Sequence, residues 1–142
     1  MPGFGLINVR DAISQAALEI GIVTRPVSTV VGSSDGDVTQ MLALLSAVAD
    51  EVLLEEPYKI TLGDQAWISD ENGVPKGAPT TDTDLILFDS RLAINGLKYR
   101  FKKEKGLEYG DDLLDFTTRL NKLAGRVNAR VLDLDTDEGR TL

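Results

Sequence analysis

The chain has 142 residues, contains neither cysteine nor histidine, and carries a formal net charge of −8. That length suits one domain with a single core. The missing residue types exclude disulfides, thiolate nucleophiles, Cys- or His-based zinc sites and every Ser/His or Cys/His catalytic arrangement. The acidic balance argues against a protein that coats nucleic acid. Met1-Pro2-Gly3-Phe4-Gly5 lacks a basic leader region. No apolar run approaches the roughly 20 residues of a membrane span. The expectation is therefore a soluble protein made in the cytoplasm, with no membrane partner.

Leu6 to Ile20 is expected to be the first helix: Leu6, Val9, Ile13, Ala16 or Ala17, and Ile20 recur at three-four spacing. Asn8 with Asp11 suits its cap, and Gly21 its stop. Ile22 to Val31 is expected to be extended, because proline disfavours helical geometry at Arg25. The second helix, from about Gly36 to Leu54, is the expected centre of the fold. Asp35 caps it, and Asp37 complements its dipole. Val38, Met41, Leu45, Val48 and Val52 draw one stripe, which Leu42, Leu44 and Ala49 widen. Glu55-Glu56-Pro57 ends it.

Residues 58–79 read as a β-hairpin or loop insertion. Tyr58, Ile60 and Leu62 alternate with Lys59 and Thr61, and Trp67-Ile68-Ser69 reads as a second short strand. Asn72-Gly73 is a turn signal, and Val74 to Pro79 is expected to be irregular. Thr81 to Lys105 is expected to be the third helix, capped by Thr81 or Asp82, with Leu85, Phe88, Leu92, Ile94, Leu97 and Phe101 facing inward. Its last turns carry Lys98, Arg100, Lys102, Lys103 and Lys105 before Gly106. These cations complement the helix dipole or form a basic patch for an acidic partner. Leu107 to Gly110 is a link.

The fourth helix runs from Asp111 to about Gly125, with Leu113, Phe116, Leu120, Leu123 and Val127 at three-four spacing. Arg130-Val131-Leu132-Asp133-Leu134-Asp135 alternates apolar and polar and is expected to be an extended arm. Such an arm can add to a neighbour's surface. The organisation expected is mainly α: a four-helix bundle over residues 1–126 with the insertion at 58–79, and an extended C-terminal arm over 127–142.

Chemistry-bearing motifs are few. Asp133-x-Asp135-x-Asp137 starts like a calcium loop, but the glycine falls one position late and the twelfth ligand is missing. Gly3-Phe4-Gly5 lacks the rest of a dinucleotide fingerprint, and Gly32 to Gly36 is no Walker loop. Glu55/Glu56, Asp70/Glu71 and Asp111/Asp112 are carboxylate pairs of the kind glycosidases use, yet beside helix ends such pairs serve as caps. Trp67 suits a ligand site or a packing anchor. No cofactor, metal or catalytic residue is expected.

Two stretches resemble a known family. Ser28-Thr29-Val30-Val31-Gly32-Ser33-Ser34-Asp35-Gly36-Asp37-Val38-Thr39-Gln40-Met41-Leu42-Ala43-Leu44 is similar to the opening of the head-to-tail connector adaptor proteins of tailed bacteriophages. Arg91-Leu92, Gly96-Leu97-Lys98-Tyr99-Arg100 and Lys105-Gly106-Leu107-Glu108-Tyr109 resemble their later motif, with Tyr99 where an indole is common. The likeness covers most of the chain from Leu6 to Leu134, but not the middle insertion. It implies a non-enzymatic structural protein of the virion neck. Such a protein forms a homo-oligomeric ring, commonly of twelve copies, below the portal protein. The ring extends the channel through which DNA passes without specific binding, and it docks tail, nozzle or other neck proteins. An acidic lumen suits that passage, since phosphate-binding cations would hold DNA. The partner-interface residues expected are Trp67, Lys98, Arg100, Lys102, Lys103, Arg126, Arg130, Val131, Leu132 and Leu134. A stopper or tail terminator, and a carboxylate-based hydrolase, are the alternatives.

Overall fold

The computed structural model describes residues 6–54 and 66–134, with side chains as far as Gly125. The elements run α1 (Val9–Ile20), α2 (Gly36–Leu53), β1 (Ile68–Ser69), β2 (Pro75–Lys76), β3 (Leu85–Ile86), α3 (Ser90–Glu104) and α4 (Gly110–Leu134). The protein is mainly helical with one small antiparallel sheet of order β2-β1-β3.

Local signals set the ends of α1 and α2. The Asn8 side chain accepts from the Asp11 amide at 2.7 Å, and Gly21 closes α1 at φ 92°, which L-residues rarely adopt. Asp35 accepts from the amides of Asp37 and Val38. Residues 22–31, expected to be extended, instead belong to an irregular loop of bends and a turn that runs on to residue 35. Its backbone is satisfied by side chains: Val27 N–H donates to the buried Ser14 hydroxyl at 2.8 Å, and Val31 N–H donates to Asp82 at 2.7 Å. This leaves Val30 in the core at 1% exposure.

The expected third helix over 81–105 is divided. Residues 81–89 form a turn and β3, and the helix starts at Ser90, capped by Asp89 rather than Thr81 or Asp82. Asp84 explains the break. Its buried carboxylate accepts from the Thr80 and Thr81 amides, the Thr81 hydroxyl and Lys76 Nζ, all within 3.0 Å. Such local bonds compete with helix formation. Burial raises the Asp84 pKa, but these donors outweigh it and hold it at about 2. β3 then pairs with β1, Ile68 opposite Ile86, and Ile86 N–H donates to Ile7 O at 3.0 Å. The carbonyls of Asp84 and Asp82 take the first-turn amides of Val9 and Arg10, which α1 itself leaves unpaired.

The hairpin from β1 to β2 turns at Asn72-Gly73 as expected, with Gly73 at φ 89°. Pro75–Lys76, expected to be irregular, is a strand on the sheet edge, where proline costs no ladder bond. Tyr58 to Leu62 lies outside the described residues.

The centre of the fold is α3 rather than α2, for α1, α2 and α4 each pack on it. It buries Leu92, Ala93, Ile94, Asn95, Gly96, Leu97, Tyr99 and Phe101. Gly106 at φ 74° ends it, with Leu107 N–H donating to Lys102 O and Gly106 N–H to Lys103 O, the paired bonds of a Schellman turn. The chain then returns in α4, whose Phe116 and Leu120 enter the core.

The helix α4 corrects a second expectation. Residues 127–134 are helical, not an extended arm, so α4 runs about 37 Å at ~1.5 Å per residue. Val127, Val131 and Leu134 continue the three-four spacing of Leu113, Phe116, Leu120 and Leu123. That 3.6-residue period prevails over the short alternation at Arg130 to Asp135. The boundary expected at 126/127 therefore falls inside one continuous helix, while residues 135–142 lie outside the described residues.

Candidate functional site

The cations of α3 form a cluster of ion pairs with carboxylates of the neighbouring helices. Lys98 and Lys102, four positions apart, share one helix face, and Arg100 between them leaves from another side. Lys98 Nζ lies 2.9 Å from Glu19 of α1 and 3.4 Å from Asp112 of α4. Lys102 Nζ is 2.6 Å from the second Asp112 oxygen. Arg100 Nη2 is 2.5 Å from Glu51 of α2, and the Tyr99 hydroxyl donates to the same carboxylate. Lys105 Nζ lies 3.4 Å from Asp37. One helix is thus tied to all three of its neighbours.

Burial and charge act in opposition on these groups. Burial alone would lower the Lys98 pKa, but Glu19 and Asp112 outweigh it and keep the ammonium charged. Burial likewise raises the Glu19 pKa, yet hydrogen bonds from Arg91, Gln15 and Lys98 bring it to about 2. For Tyr99, burial and the Glu51 carboxylate both push the phenol upward. At the start of α3, Asp89 accepts from Leu92 N–H at 2.9 Å and from Arg119 Nη2 at 2.8 Å.

The expected interface residues therefore have different settings. Lys98, Arg100 and Lys102 are held by carboxylates of their own chain. Lys103 is exposed and forms no ion pair among the described residues. Trp67 is only 8% exposed, and its ring lies 6.4 Å from that of Phe88, which makes it a packing anchor. Arg126, Arg130, Val131, Leu132 and Leu134 lie on the last turns of α4. The structure brings Lys98 and Lys102 together on Asp112 and sends Arg100 to the α2 side.

Glu19, Glu51 and Asp112 were missed as the partners of this cluster. Asp112 was legible only as a charge in a helix first turn, and Glu19 and Arg91 are 72 residues apart. Asp111 is exposed, and Asp112 is neutralised by two lysines, an arrangement that suits helix docking better than acid–base work. Among the described residues no three His, Cys, Asp or Glu side chains are grouped to hold a metal, and no helix is long and apolar enough to cross a membrane. Asp133 to Gly139 lies almost wholly outside the described residues.

Compared with protein-family models, curated proteins and solved structures, the chain matches none of them.

Proposed function

We propose that this protein is a structural head-to-tail adaptor of a tailed bacteriophage, with no enzymatic role. It forms a ring below the portal protein, lengthens the DNA channel and docks tail or neck proteins. Its place is the virion neck, after assembly in the host cytoplasm. Four helices make the bundle of each subunit, and the C-terminal segment reaches outward to partners.

The observation that carries this reading is the likeness of Ser28 to Leu44 and of Arg91 to Tyr109 to the adaptor motifs. The fold supports it by giving those residues specific tasks. Asp35 caps α2, Gly96 admits α3 to its neighbours, Lys98 and Arg100 tie it down, and Gly106 turns the chain into α4. The mainly helical architecture favours the adaptor over a β-rich stopper or tail terminator.

A ring of identical subunits uses two different faces of each copy, closed by rotation. Native mass spectrometry and electron microscopy of the full chain, alone and with portal rings, test the proposal. A ring docked on the portal is expected. A chain that stays single even with portal present would refute it.

A further inference from the structure

The sequence holds two asparagine-glycine pairs, Asn72-Gly73 and Asn95-Gly96. Such a pair is chemically labile, because glycine has no Cβ to shield its amide nitrogen from the side chain of the asparagine before it. The fold gives the two pairs opposite settings. Asn95 and Gly96 lie inside α3, where Asn95 is 7% exposed and Gly96 packs against Val48 and Phe116. The Gly96 amide is committed to the helix ladder and is freed only when α3 unwinds.

Asn72 and Gly73 instead form the exposed tip of the hairpin from β1 to β2. A Cβ added to Gly73 would meet nothing within 4 Å, so the space around its amide is open. Asp70 holds this tip. Its carboxylate accepts from Asn72 N–H at 2.8 Å and from Val74 N–H at 2.9 Å, and its carbonyl accepts from Gly73 N–H at 3.0 Å. Opening this turn frees the Gly73 nitrogen and leaves the core packed.

We infer that Asn72 is a site of spontaneous deamidation in the folded protein, that the Asp70 turn sets its rate, and that Asn95 is protected. The Gly73 nitrogen loses its proton to hydroxide and attacks Cγ of Asn72. A carbon–nitrogen bond forms to Gly73 and the carboxamide carbon–nitrogen bond breaks. The leaving nitrogen takes a proton from water and departs as ammonia. Water then opens the cyclic imide at either carbonyl. One opening leaves aspartate at position 72. The other leaves isoaspartate, whose main chain runs through Cβ and Cγ and is longer by a methylene. Both products add a negative charge beside Asp70 and Glu71 to a chain already at −8. Turn length fixes hairpin register, so the longer main chain disturbs the pairing of Ser69 with Pro75 next to the turn. This chemistry needs no partner and is independent of the ring reading.

The test is peptide mapping by mass spectrometry of the full chain, aged in warm, mildly alkaline buffer with and without urea. In the folded chain Asn72 converts at least about a hundredfold faster than Asn95, because a slow reaction follows the population of the open form. In urea the two rates converge. Asp70→Ala removes two hydrogen bonds from the turn and speeds conversion at Asn72 about fivefold. Asn95 serves as the internal control, since its continued protection shows that the variant is folded. Two results overturn the inference: an intact Asn72 in the folded chain after a period that converts both sites in urea, or an Asn95 that keeps pace with Asn72 in the folded chain. A folded Asp70→Ala variant that converts no faster overturns the control assigned to the turn.

Discussion

Gly96 lies so close to Val48 that a Cβ added to the glycine would sit 2.5 Å from the valine Cγ1 and 3.0 Å from Phe116 Cε1. Here α2, α3 and α4 meet, and the missing side chain lets them approach. Gly96→Ala gains about 1 kcal/mol of helix propensity but overpacks a full core, which costs about 1–3 kcal/mol. A net loss of up to about 2 kcal/mol is expected. Adding Gly96→Ala to Val48→Ala should cost less than adding it to the wild type. Urea midpoints of the four chains measure this, and strictly additive effects would contradict the contact.

Acid should unfold the protein through Glu19 and Asp84. Their ordinary values of 4.5 and 3.8 fall to about 2 in the folded chain. A depressed folded value means stability that is full above the ordinary value and lost as pH falls toward 2. The thermal midpoint should hold near neutrality, then drop between about pH 4.5 and 2. Glu19→Gln and Asp84→Asn should lower the neutral plateau and flatten the acid limb. An acid limb unchanged in both variants would remove this account.

Tyr99 should resist ionisation. Its hydroxyl donates to Glu51, and burial together with that carboxylate raises its pKa above the ordinary phenol value. The stability it contributes is therefore complete below about pH 10 and is lost as pH rises toward the folded value. Ultraviolet titration of the native protein should show the Tyr99 phenol ionising above the ordinary range and returning to it after unfolding. Tyr99→Phe should remove that high-pH component and cost about 1 kcal/mol, since Glu51 keeps Arg100.

Residues 127–134 should contribute helical signal. Val131 lies inside α4, so Val131→Pro removes a helical amide and clashes with the preceding turn. A loss of far-ultraviolet helicity is expected. An extended arm at these residues would leave the spectrum unchanged.

Much of this protein was legible in the sequence because the rules involved are short-ranged. The Asn8 and Asp35 caps, the stops at Gly21 and Gly106, and the apolar stripe of α2 each depend on residues within a few positions. The absence of histidine and cysteine bounded the chemistry before any fold was known. Leu85-Ile86-Leu87-Phe88, a short apolar run between two aspartates, was a strand signal overlooked in favour of a longer helical stripe.

Tertiary structure decided what lay between distant residues. Periodicity marks Lys98, Arg100 and Lys102 only as polar positions on a helix, and local charge rules assign them to its dipole. Their carboxylates stand 79, 49 and ten residues away in Glu19, Glu51 and Asp112, and only packing sets those distances. The same holds for Trp67, which the hairpin turns onto Phe88, and for α3, which became the centre because three helices had no other common surface on which to bury their stripes.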